Sequence, residues 1–311
     1  MILRAPRILI IGDVMTDVIV RPEGPLARGS DRRASISVQP GGSAANQAAW
    51  LASFGASVDF VARVGAADLE SETARFKAIG VAPHLVGDPN RETGRLIALI
   101  DADGERSFLT DRGANETLEA RDIPDGLIEG AALIHLSGYS FFAPSPRAAV
   151  LDVMRRAGDK PISVDPASAE FLREVGADTF LAWTRGAAIL FPNAEEAAIL
   201  ACSDDPETQC VRLAARYPLV VVKRGAAGAE AAQGAGHWRV VAPQIDTLDT
   251  TGAGDAFVAG FLSQRLLGVD IEPALERAVM AGAAASTFIG GRPRSDRSSR
   301  LIDTIVSDDI L

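Results

Sequence analysis

Cysteine and histidine are scarce in this sequence, with two and three copies in 311 residues. Cys202 and Cys210 form no CxxC pattern, and two cysteines are too few for a disulfide scaffold. His84, His135 and His237 lack the spacing of metal ligands, so each is expected to be structural. We therefore predict free thiols and a fold that depends on no disulfide framework.

Basic residues and long apolar runs are also scarce. Lys plus Arg number 31 against 41 Asp plus Glu, which gives a net charge of −10 at pH 7. Nucleic-acid binding needs clustered positive charge. The apolar run near the N-terminus, Ile8–Ile11, is too short for a signal peptide or a membrane span. We therefore expect a cytoplasmic protein that binds neither nucleic acid nor a membrane.

Short apolar runs alternate with Ala- and Leu-rich segments along the chain. Five runs predict buried strands: Arg7–Gly12, Leu133–Leu136, Pro161–Asp165, Ala187–Phe191 and Leu219–Lys223. Segments between them predict helices, such as Ser145–Arg156, Asn193–Ala201 and Pro206–Arg216. Apolar strands that alternate with helices indicate an α/β fold with a parallel sheet covered on both faces. Residues 1–311 fit a single domain of this kind, because no repeat or long linker divides them.

Two regions depart from this alternation. Residues 34–38 (ASISV) alternate strictly between polar and apolar, and residues 94–110 predict two strands around the Asp103-Gly104 turn. Half-buried strands inside an α/β chain predict a small β-sheet lid, with strands from about residues 14–40 and 94–112. Exposed strand edges and a half-apolar sheet are liabilities for a monomer, so we expect a homodimer through this lid.

The stretch 249-DTTGAGDAFVAGF-261 places a carboxylate at the start of a predicted helix, behind a glycine turn. Gly252 and Gly254 allow a tight turn with exposed N–H groups, and such groups at a helix N-terminus bind anions. Neither the GxGxxG fingerprint nor a Walker motif is present. Asp255 would repel a phosphate, but it suits a site where it takes a proton from a hydroxyl while the amides hold the phosphoryl group under attack. A simple helix cap is the alternative interpretation of Asp255.

A second stretch, 41-GGSAANQAAWLASFGA-56, repeats the pattern of a glycine turn before a helix. Gly41 and Gly42 precede a small-residue helix that has Asn46 in its first turn, while Asp13 and Asp17 follow the first predicted strand. Taken alone, these features also fit a close-packed helix and a capping carboxylate. Together, two carboxylates, an amide and glycine N–H groups can bind a polyhydroxy ligand.

In their order and separation, the two stretches resemble the signatures of the ribokinase-like (PfkB) carbohydrate kinase family. Further similar segments are DRGAN (111–115), FPNAEEA (191–197) and VVVKRGAAG (220–228), so the resemblance extends from residue 11 to residue 287. It implies a three-layer α/β/α (Rossmann-like) domain of the ribokinase type with a small β-sheet lid. It also implies ATP-dependent phosphorylation of a hydroxyl, usually a primary alcohol, with Mg²⁺.

The resemblance further implies a role for individual residues. It assigns the catalytic base and the anion hole to Asp255 and to the amides of Gly252, Ala253 and Gly254. It assigns substrate binding to Asp13, Asp17, Gly41, Gly42 and Asn46, beside Asp255. It assigns ATP binding to Asn193, Lys223, Gly225, Gly228 and Gly254. It assigns Mg²⁺, mostly through water, to Glu196, and a K⁺ ion to Asp249, Thr251, Ala285, Phe288 and Gly290.

The pattern departs from ribokinases proper at the substrate residues. Met15 stands where they have asparagine, and Ser137 and Gly138 stand where they have glutamate. Both departures remove partners for ribose hydroxyls, which argues against ribose. We predict a sugar acceptor, and a nucleoside kinase is the alternative because a base suits an apolar wall. A non-catalytic binding protein on the same fold is disfavoured, because Asp255 and its glycine turn are both intact.

Overall fold

The computed structural model describes residues 6–26, 28–101 and 106–293, so the predicted Asp103-Gly104 turn lies outside the described residues. The strands are β1 (Arg7–Ile11), β2 (Met15–Pro22), β3 (Ala34–Gly41), β4 (Ser57–Gly65), β5 (Ala82–Asp88), β6 (Gly94–Ile100), β7 (Arg106–Asp111), β8 (Leu133–Ser137), β9 (Ile162–Asp165), β10 (Ile189–Leu190), β11 (Leu219–Lys223), β12 (Ala229–Gln233) and β13 (Gly236–Val240). The helices are α1 (Ser43–Ser53), α2 (Leu69–Ala78), α3 (Asp125–Gly130), α4 (Pro144–Arg156), α5 (Ala169–Val175), α6 (Ala177–Trp183), α7 (Ala194–Ala201), α8 (Pro206–Ala214), α9 (Ala253–Leu266) and α10 (Ile271–Ala285). None of the described helices is long and apolar enough to cross a membrane.

The main sheet has nine strands in the order β13-β12-β11-β10-β9-β8-β1-β4-β5. Neighbouring strands from β11 to β5 are parallel, as predicted, whereas β12 and β13 extend one edge in antiparallel fashion. This edge is antiparallel, whereas a parallel sheet was predicted, because only Gly234 and Ala235 connect β12 to β13. A parallel pair needs a crossover of a dozen residues or so, which two residues cannot supply.

Strand β1 explains why the main sheet is covered on both faces. Ile8 and Ile10 are fully buried in the hydrophobic core that also contains helices α1, α9 and α10. Leu9 and Ile11 point the other way and are fully buried in a second core with helices α4, α7 and α8. A strand that buries alternate side chains in two cores reads as a continuous apolar run. The predicted α/β/α layering is therefore confirmed.

The second sheet has four strands in the order β3-β2-β6-β7. Cross-strand neighbours Val38, Val18, Ile97 and Leu109 form a row on one face, whereas Asp17 is on the other. Val38, Ile97 and Leu109 are 67%, 37% and 59% exposed, so this face is apolar and open. The predicted small sheet is present, and strand β3 extends to Gly41, beyond the predicted residues 34–38.

The order of the main sheet determines where a ligand site forms. Strand β1 lies between β8 and β4, so the loops after β1 and β8 diverge at its carboxyl end. In open α/β sheets, a crevice of this kind at a switch point in strand order is where ligands bind. The lid begins directly after β1. The N-termini of helices α1 and α9 meet in the same region, because Ser43 at the start of α1 contacts Asp255 in the first turn of α9.

Candidate active site

Helix α9 follows the glycine turn at Gly252 and starts two residues before Asp255, where the sequence places the helix start. Gly252 has a φ of 75°, and a Cβ there would lie 2.5 Å from the backbone of Gly291, so only glycine fits. The helix begins at Ala253, which places Asp255 in its first turn. The Ala253 amide donates to the Thr250 carbonyl (3.2 Å), while the amides of Gly252 and Gly254 donate to no described residue. Two of the three predicted anion-hole donors are therefore open.

Asp255 receives hydrogen bonds from two side chains of helix α1. The Ser43 hydroxyl donates to its Oδ1 (2.7 Å) and the Asn46 amide donates to its Oδ2 (2.9 Å). Asp255 and Asn46 are thus in direct contact although 209 residues separate them. Burial raises the pKa of Asp255 to about 7, and the bonds from Ser43 and Asn46 oppose this rise. A carboxylate with a pKa near neutrality suits a general base.

A buried hydrogen-bond chain behind Ser43 leads to Asp255. The His135 Nε2 lies 2.8 Å from the Gln47 Oε1, and the Gln47 Nε2 donates to the Ser43 hydroxyl (3.3 Å). Burial lowers the pKa of His135 to about 3, so the ring is neutral, and its Nε2 is the donor because the Gln47 oxygen only accepts. Gln47 also donates to Asp165 (3.3 Å). The sequence analysis did not identify Gln47, Ser43 or Asp165.

The predicted substrate residues at the lid divide into two environments. Asp13 is buried and accepts from the amides of Ser43 and Ala44, both at 3.2 Å, so it caps helix α1. Asp17 lies on β2 of the lid, where burial and the nearby Asp13 raise its pKa to about 6. A Cβ at Gly41 would lie 2.2 Å from the Asp17 carboxylate, so Gly41 leaves room for that group.

Gly42 allows the close approach between the lid and helix α1. It is the N-cap of α1 with a φ of 94°, and a Cβ there would lie 2.6 Å from the Asp13 carbonyl oxygen. The structure therefore brings together near Asp255 the residues Asp13, Asp17, Gly41, Gly42 and Asn46. Their role in substrate binding stays a prediction.

Three charged side chains, Lys223, Asp165 and Glu196, line the same cavity as Asp255. The Lys223 ammonium forms an ion pair with Asp165 (2.8 Å) and lies next to Gly254. Burial opposes its charge, but Asp165 and Glu196 outweigh burial and raise the pKa of Lys223. Asn193 and Glu196 form a capping box at the start of α7. The Asn193 amide donates to the Glu196 carboxylate (2.8 Å), and the Glu196 amide donates to the Asn193 side-chain oxygen (2.9 Å). Burial raises the pKa of Glu196 to about 7, against the effect of Lys223.

Two adjoining cavities meet at Lys223 and Gly254. One, of about 390 Å³, is lined by carboxylates and glycines that include Asp165, Glu196 and Asp255. The other, of about 400 Å³, is lined mostly by apolar groups, among them Ala242, Ile245, Phe257, Val279 and Ala283, together with Gly225 and Gly228. A polar cavity that opens into an apolar one matches a triphosphate attached to an aromatic base.

The residues predicted to bind K⁺ lie together behind the glycine turn. Asp249 is buried, and its carboxylate accepts from the amides of Thr251 (2.9 Å) and Gly290 (3.1 Å). Ala285 ends helix α10, and Phe288 packs on the Trp50 ring with centroids 6.1 Å apart. The bond from Gly290 to Asp249 holds the segment after α10 against the turn that starts α9, and Phe288 holds it against helix α1.

Comparison with known proteins identifies the family of this chain. The model of the pfkB family carbohydrate kinases matches residues 5–296. The chain belongs to this family. An ATP-dependent ribose-1-phosphate kinase of Halopiger xanaduensis is 32% identical over 92% of this chain and 94% of its own length. The ribokinase of Bacillus subtilis is 29% identical over 95% of this chain and 99% of its own.

Solved structures show the same fold. A protein from Escherichia coli described as a ribokinase II, in complex with ATP and Mg²⁺, superposes with a TM-score of 0.85 over 97% of this chain and 99% of its own, at 23% identity. The predicted family, the ribokinase-type fold and the predicted class of enzyme, an ATP-dependent sugar kinase, are confirmed. The nucleoside alternative stays open.

The residues that depart from the ribokinase pattern at the predicted acceptor site fit their surroundings in the fold. A Cβ at Gly138 would lie 2.2 Å from the Pro166 carbonyl oxygen, so no glutamate can stand at that position. Ser137 is fully buried and donates to Asp13 (3.2 Å). Met15 is buried, and its sulfur lies 3.3 Å from the Asn115 amide.

The kinase has two arginines, near the predicted acceptor residues, that the sequence did not assign to the site. Arg112 belongs to the DRGAN segment, and its guanidinium lies 3.2 Å from the Asp13 carboxylate and 4.2 Å from the Tyr139 ring centroid. Arg292 follows helix α10 in a basic segment of the kind that is usually solvated, but its side chain donates to Asn46 (3.3 Å) and to the Gly41 carbonyl (3.1 Å). The Trp50 indole fixes this tail through a bond to Gly291 (3.0 Å).

A cluster of possible metal ligands, which includes one histidine and one cysteine, lies at the edge of the main sheet formed by β12 and β13. His237, Cys210 and Glu230 place possible ligand atoms within 4.8 Å of one another. Arg224 forms an ion pair with Glu230 (3.1 Å), so a cation already occupies the position beside the carboxylate. Sequence spacing did not indicate this group, because the three residues come from α8, β12 and β13.

Proposed function

We propose that this kinase transfers the γ-phosphoryl group of ATP to a sugar hydroxyl, with Asp255 as the general base. The observation that carries the proposal is the position of Asp255, one residue after the open amide of Gly254 and in contact with Asn46 of the predicted acceptor site. A base and an anion hole at this spacing can serve the attacking oxygen and the attacked phosphorus at once.

The chemical step then follows from the charges in the site. The acceptor hydroxyl gives its proton to the Asp255 carboxylate, and its oxygen forms a bond to the γ-phosphorus. The bond from that phosphorus to the β-γ bridging oxygen breaks, and ADP leaves with the electron pair. The amides of Gly252 and Gly254 and the ammonium of Lys223 stabilise the charge on the transferring group.

The polar cavity also fits a magnesium ion. Glu196 and Asp165 supply carboxylate oxygens beside Lys223, and Mg²⁺ prefers oxygen ligands and retains several waters. Mg²⁺ would neutralise the phosphate charges of ATP and orient them. The complex of the E. coli neighbour with ATP and Mg²⁺ supports this assignment. Glu196→Gln should therefore raise the Mg²⁺ concentration needed for half-maximal turnover.

A sugar is the acceptor that the site supports best. Asp17, Asn46 and the glycine amides beside Asp255 offer donors and acceptors to several hydroxyls. A nucleoside is the second candidate, because the aromatic residues Tyr139, Phe142 and Phe171 pack together next to the acceptor region. Measuring ADP release with sugars and nucleosides tests the proposal. The absence of ADP release with every acceptor would contradict it.

A monovalent cation is proposed at Asp249. A K⁺ ion there, with carbonyl groups near Ala285, Phe288 and Gly290, would keep the glycine turn in its working shape without contact to the acceptor. Turnover should be faster in KCl than in NaCl or Tris at constant ionic strength. Equal rates in the three salts would remove the cation from the mechanism.

We further propose a cytoplasmic homodimer in which each chain is one kinase domain. The row Val38, Val18, Ile97 and Leu109 is an exposed apolar face on the side of the lid away from Asp17, and a second lid would cover it. Light scattering at micromolar concentration should give the dimer mass. Val38→Lys should give the monomer mass, and a monomeric parent protein would contradict the proposal.

A further inference from the structure

Arg292 is a cation at the predicted acceptor site that forms no ion pair within 4 Å with a described residue, although Glu72, Asp17 and Asp255 attract it from farther away. Its Nε donates to the Asn46 Oδ1 (3.3 Å) and its Nη2 donates to the Gly41 carbonyl (3.1 Å), and both partners are neutral. The guanidinium lies over the Phe76 ring at 4.9 Å, and its Nη1 has no partner in the described part of the chain. Burial lowers the pKa of Arg292 to about 10, so it remains charged at neutral pH.

Arg112 brings a second guanidinium to the same region from the end of the lid. Its side chain is only 15% exposed and lies 3.2 Å from one oxygen of Asp13. A guanidinium has five N–H donors, and the contact with Asp13 does not use them all. Tyr139, over which Arg112 lies, lines the cavity that also contains Asp255.

The two arginines converge on one carboxylate. Arg292 donates to the Gly41 carbonyl, and Gly41 faces the Asp17 carboxylate, so Arg292 lies beside Asp17. Arg112 lies beside Asp13, and both guanidinium groups lower the pKa of Asp17. A buried charge is costly unless it is paired. Neutral sugar hydroxyls need no guanidinium, whereas paired Arg groups are the usual partners of a phosphate.

We infer that the acceptor of this kinase is a sugar phosphomonoester, whose phosphate lies between the Arg292 and Arg112 guanidinium groups while its free hydroxyl contacts Asp255. Only Asn46 separates the base from Arg292, because its Nδ2 donates to Asp255 and its Oδ1 accepts from Arg292. The distance from Asp255 to Arg292, which one asparagine side chain spans, suits a single monosaccharide. The inference rests on the proposed kinase function and narrows its substrate to an anionic sugar.

The test compares each sugar with its own phosphates. ADP release is measured with ribose, fructose, and the 1-phosphate and terminal phosphate of each. At least one phosphate should exceed its parent sugar in kcat/KM by about tenfold or more, the contribution of one charged hydrogen bond. Faster turnover of the uncharged sugars, or of a sugar acid such as gluconate, would overturn the inference and leave the kinase assignment intact.

Three variants locate the phosphate. Arg292→Met and Arg112→Met should each lower kcat/KM for the preferred sugar phosphate by about 10- to 100-fold, and Arg292→Lys should restore part of the loss. Arg277→Met is the matched control, because Arg277 also lies over an aromatic ring, Phe54 at 5.1 Å, and belongs to helix α10 rather than to the predicted acceptor residues. An equal loss in Arg277→Met, or no loss in either test variant, would overturn the inference.

Calorimetry without ATP tests whether the phosphate binds at Arg292, independently of turnover. The sugar phosphate that reacts fastest, or each of the four in turn if none reacts, is titrated into the parent protein and into Arg292→Met. We expect binding to the parent protein and weaker binding to the variant. Equal binding to both proteins, or binding to neither, would contradict a phosphate site at Arg292, while a complete lack of turnover would contradict the proposed function.

Discussion

Replacing Ser43 with alanine should move the acid limb of the pH–rate profile to higher pH. The Ser43 hydroxyl donates to the Asp255 Oδ1 at 2.7 Å, and this bond stabilises the charged form of the base. Without it, the protonated form is favoured and the pKa of Asp255 rises from about 7. A hydrogen bond to a charged group contributes about 1.5–3 kcal/mol, which corresponds to about one to two pKa units.

The assay measures kcat/KM for the acceptor by ADP release, at pH values from below to well above the midpoint of the acid limb. Below the midpoint the rate of Ser43→Ala should be about tenfold lower than that of the parent protein, because a smaller fraction of Asp255 is ionised. At high pH the two rates should approach each other. Ser53→Ala is the control, because its hydroxyl donates to the Trp50 carbonyl in the same helix. An unchanged or lower midpoint in Ser43→Ala would refute the role of this bond.

Three further predictions follow from the same geometry. Lys223→Met should weaken ATP binding in calorimetry and lower the free energy of unfolding by about 3–5 kcal/mol, because Asp165 loses its partner; unchanged ATP affinity would contradict its role. Gly252→Ala should lower the free energy of unfolding by about 1–3 kcal/mol more than Gly268→Ala, which has the same positive φ but open space around it; equal losses would contradict the contact. Asp17→Ala should raise the acceptor KM about tenfold with the ATP KM unchanged; an unchanged acceptor KM would place the acceptor elsewhere.

Local patterns predicted most of the fold because they depend on near neighbours along the chain. The apolar run of β1 has side chains in both cores, and the alternation in residues 34–38 corresponds to a strand with one exposed face. The glycine turn before Asp255 is also local, since Gly252 has the positive φ that glycine tolerates. The antiparallel edge was missed because the run of residues 219–223 does not show on which side the next strand pairs.

The rest of the site depends on contacts between distant segments. Gln47 reaches His135 and Asp165 across 88 and 118 residues, and Arg292 reaches Asn46 across 246. No periodicity in the sequence encodes such pairs. A buried polar residue on an Ala-rich helix was the available signal for Gln47, because such a group needs hydrogen-bond partners. For Arg292 there was none, since a basic tail is usually solvated.

The most direct test of the account is turnover of Asp255→Asn. Asparagine keeps the size of the side chain and can still contact Ser43 and Asn46, but it cannot take the proton of the acceptor hydroxyl. We predict that kcat falls by about 10²- to 10⁴-fold, while the dissociation constant for ATP stays within the error of the parent value. Retention of more than about a tenth of the parent turnover would contradict Asp255 as the general base.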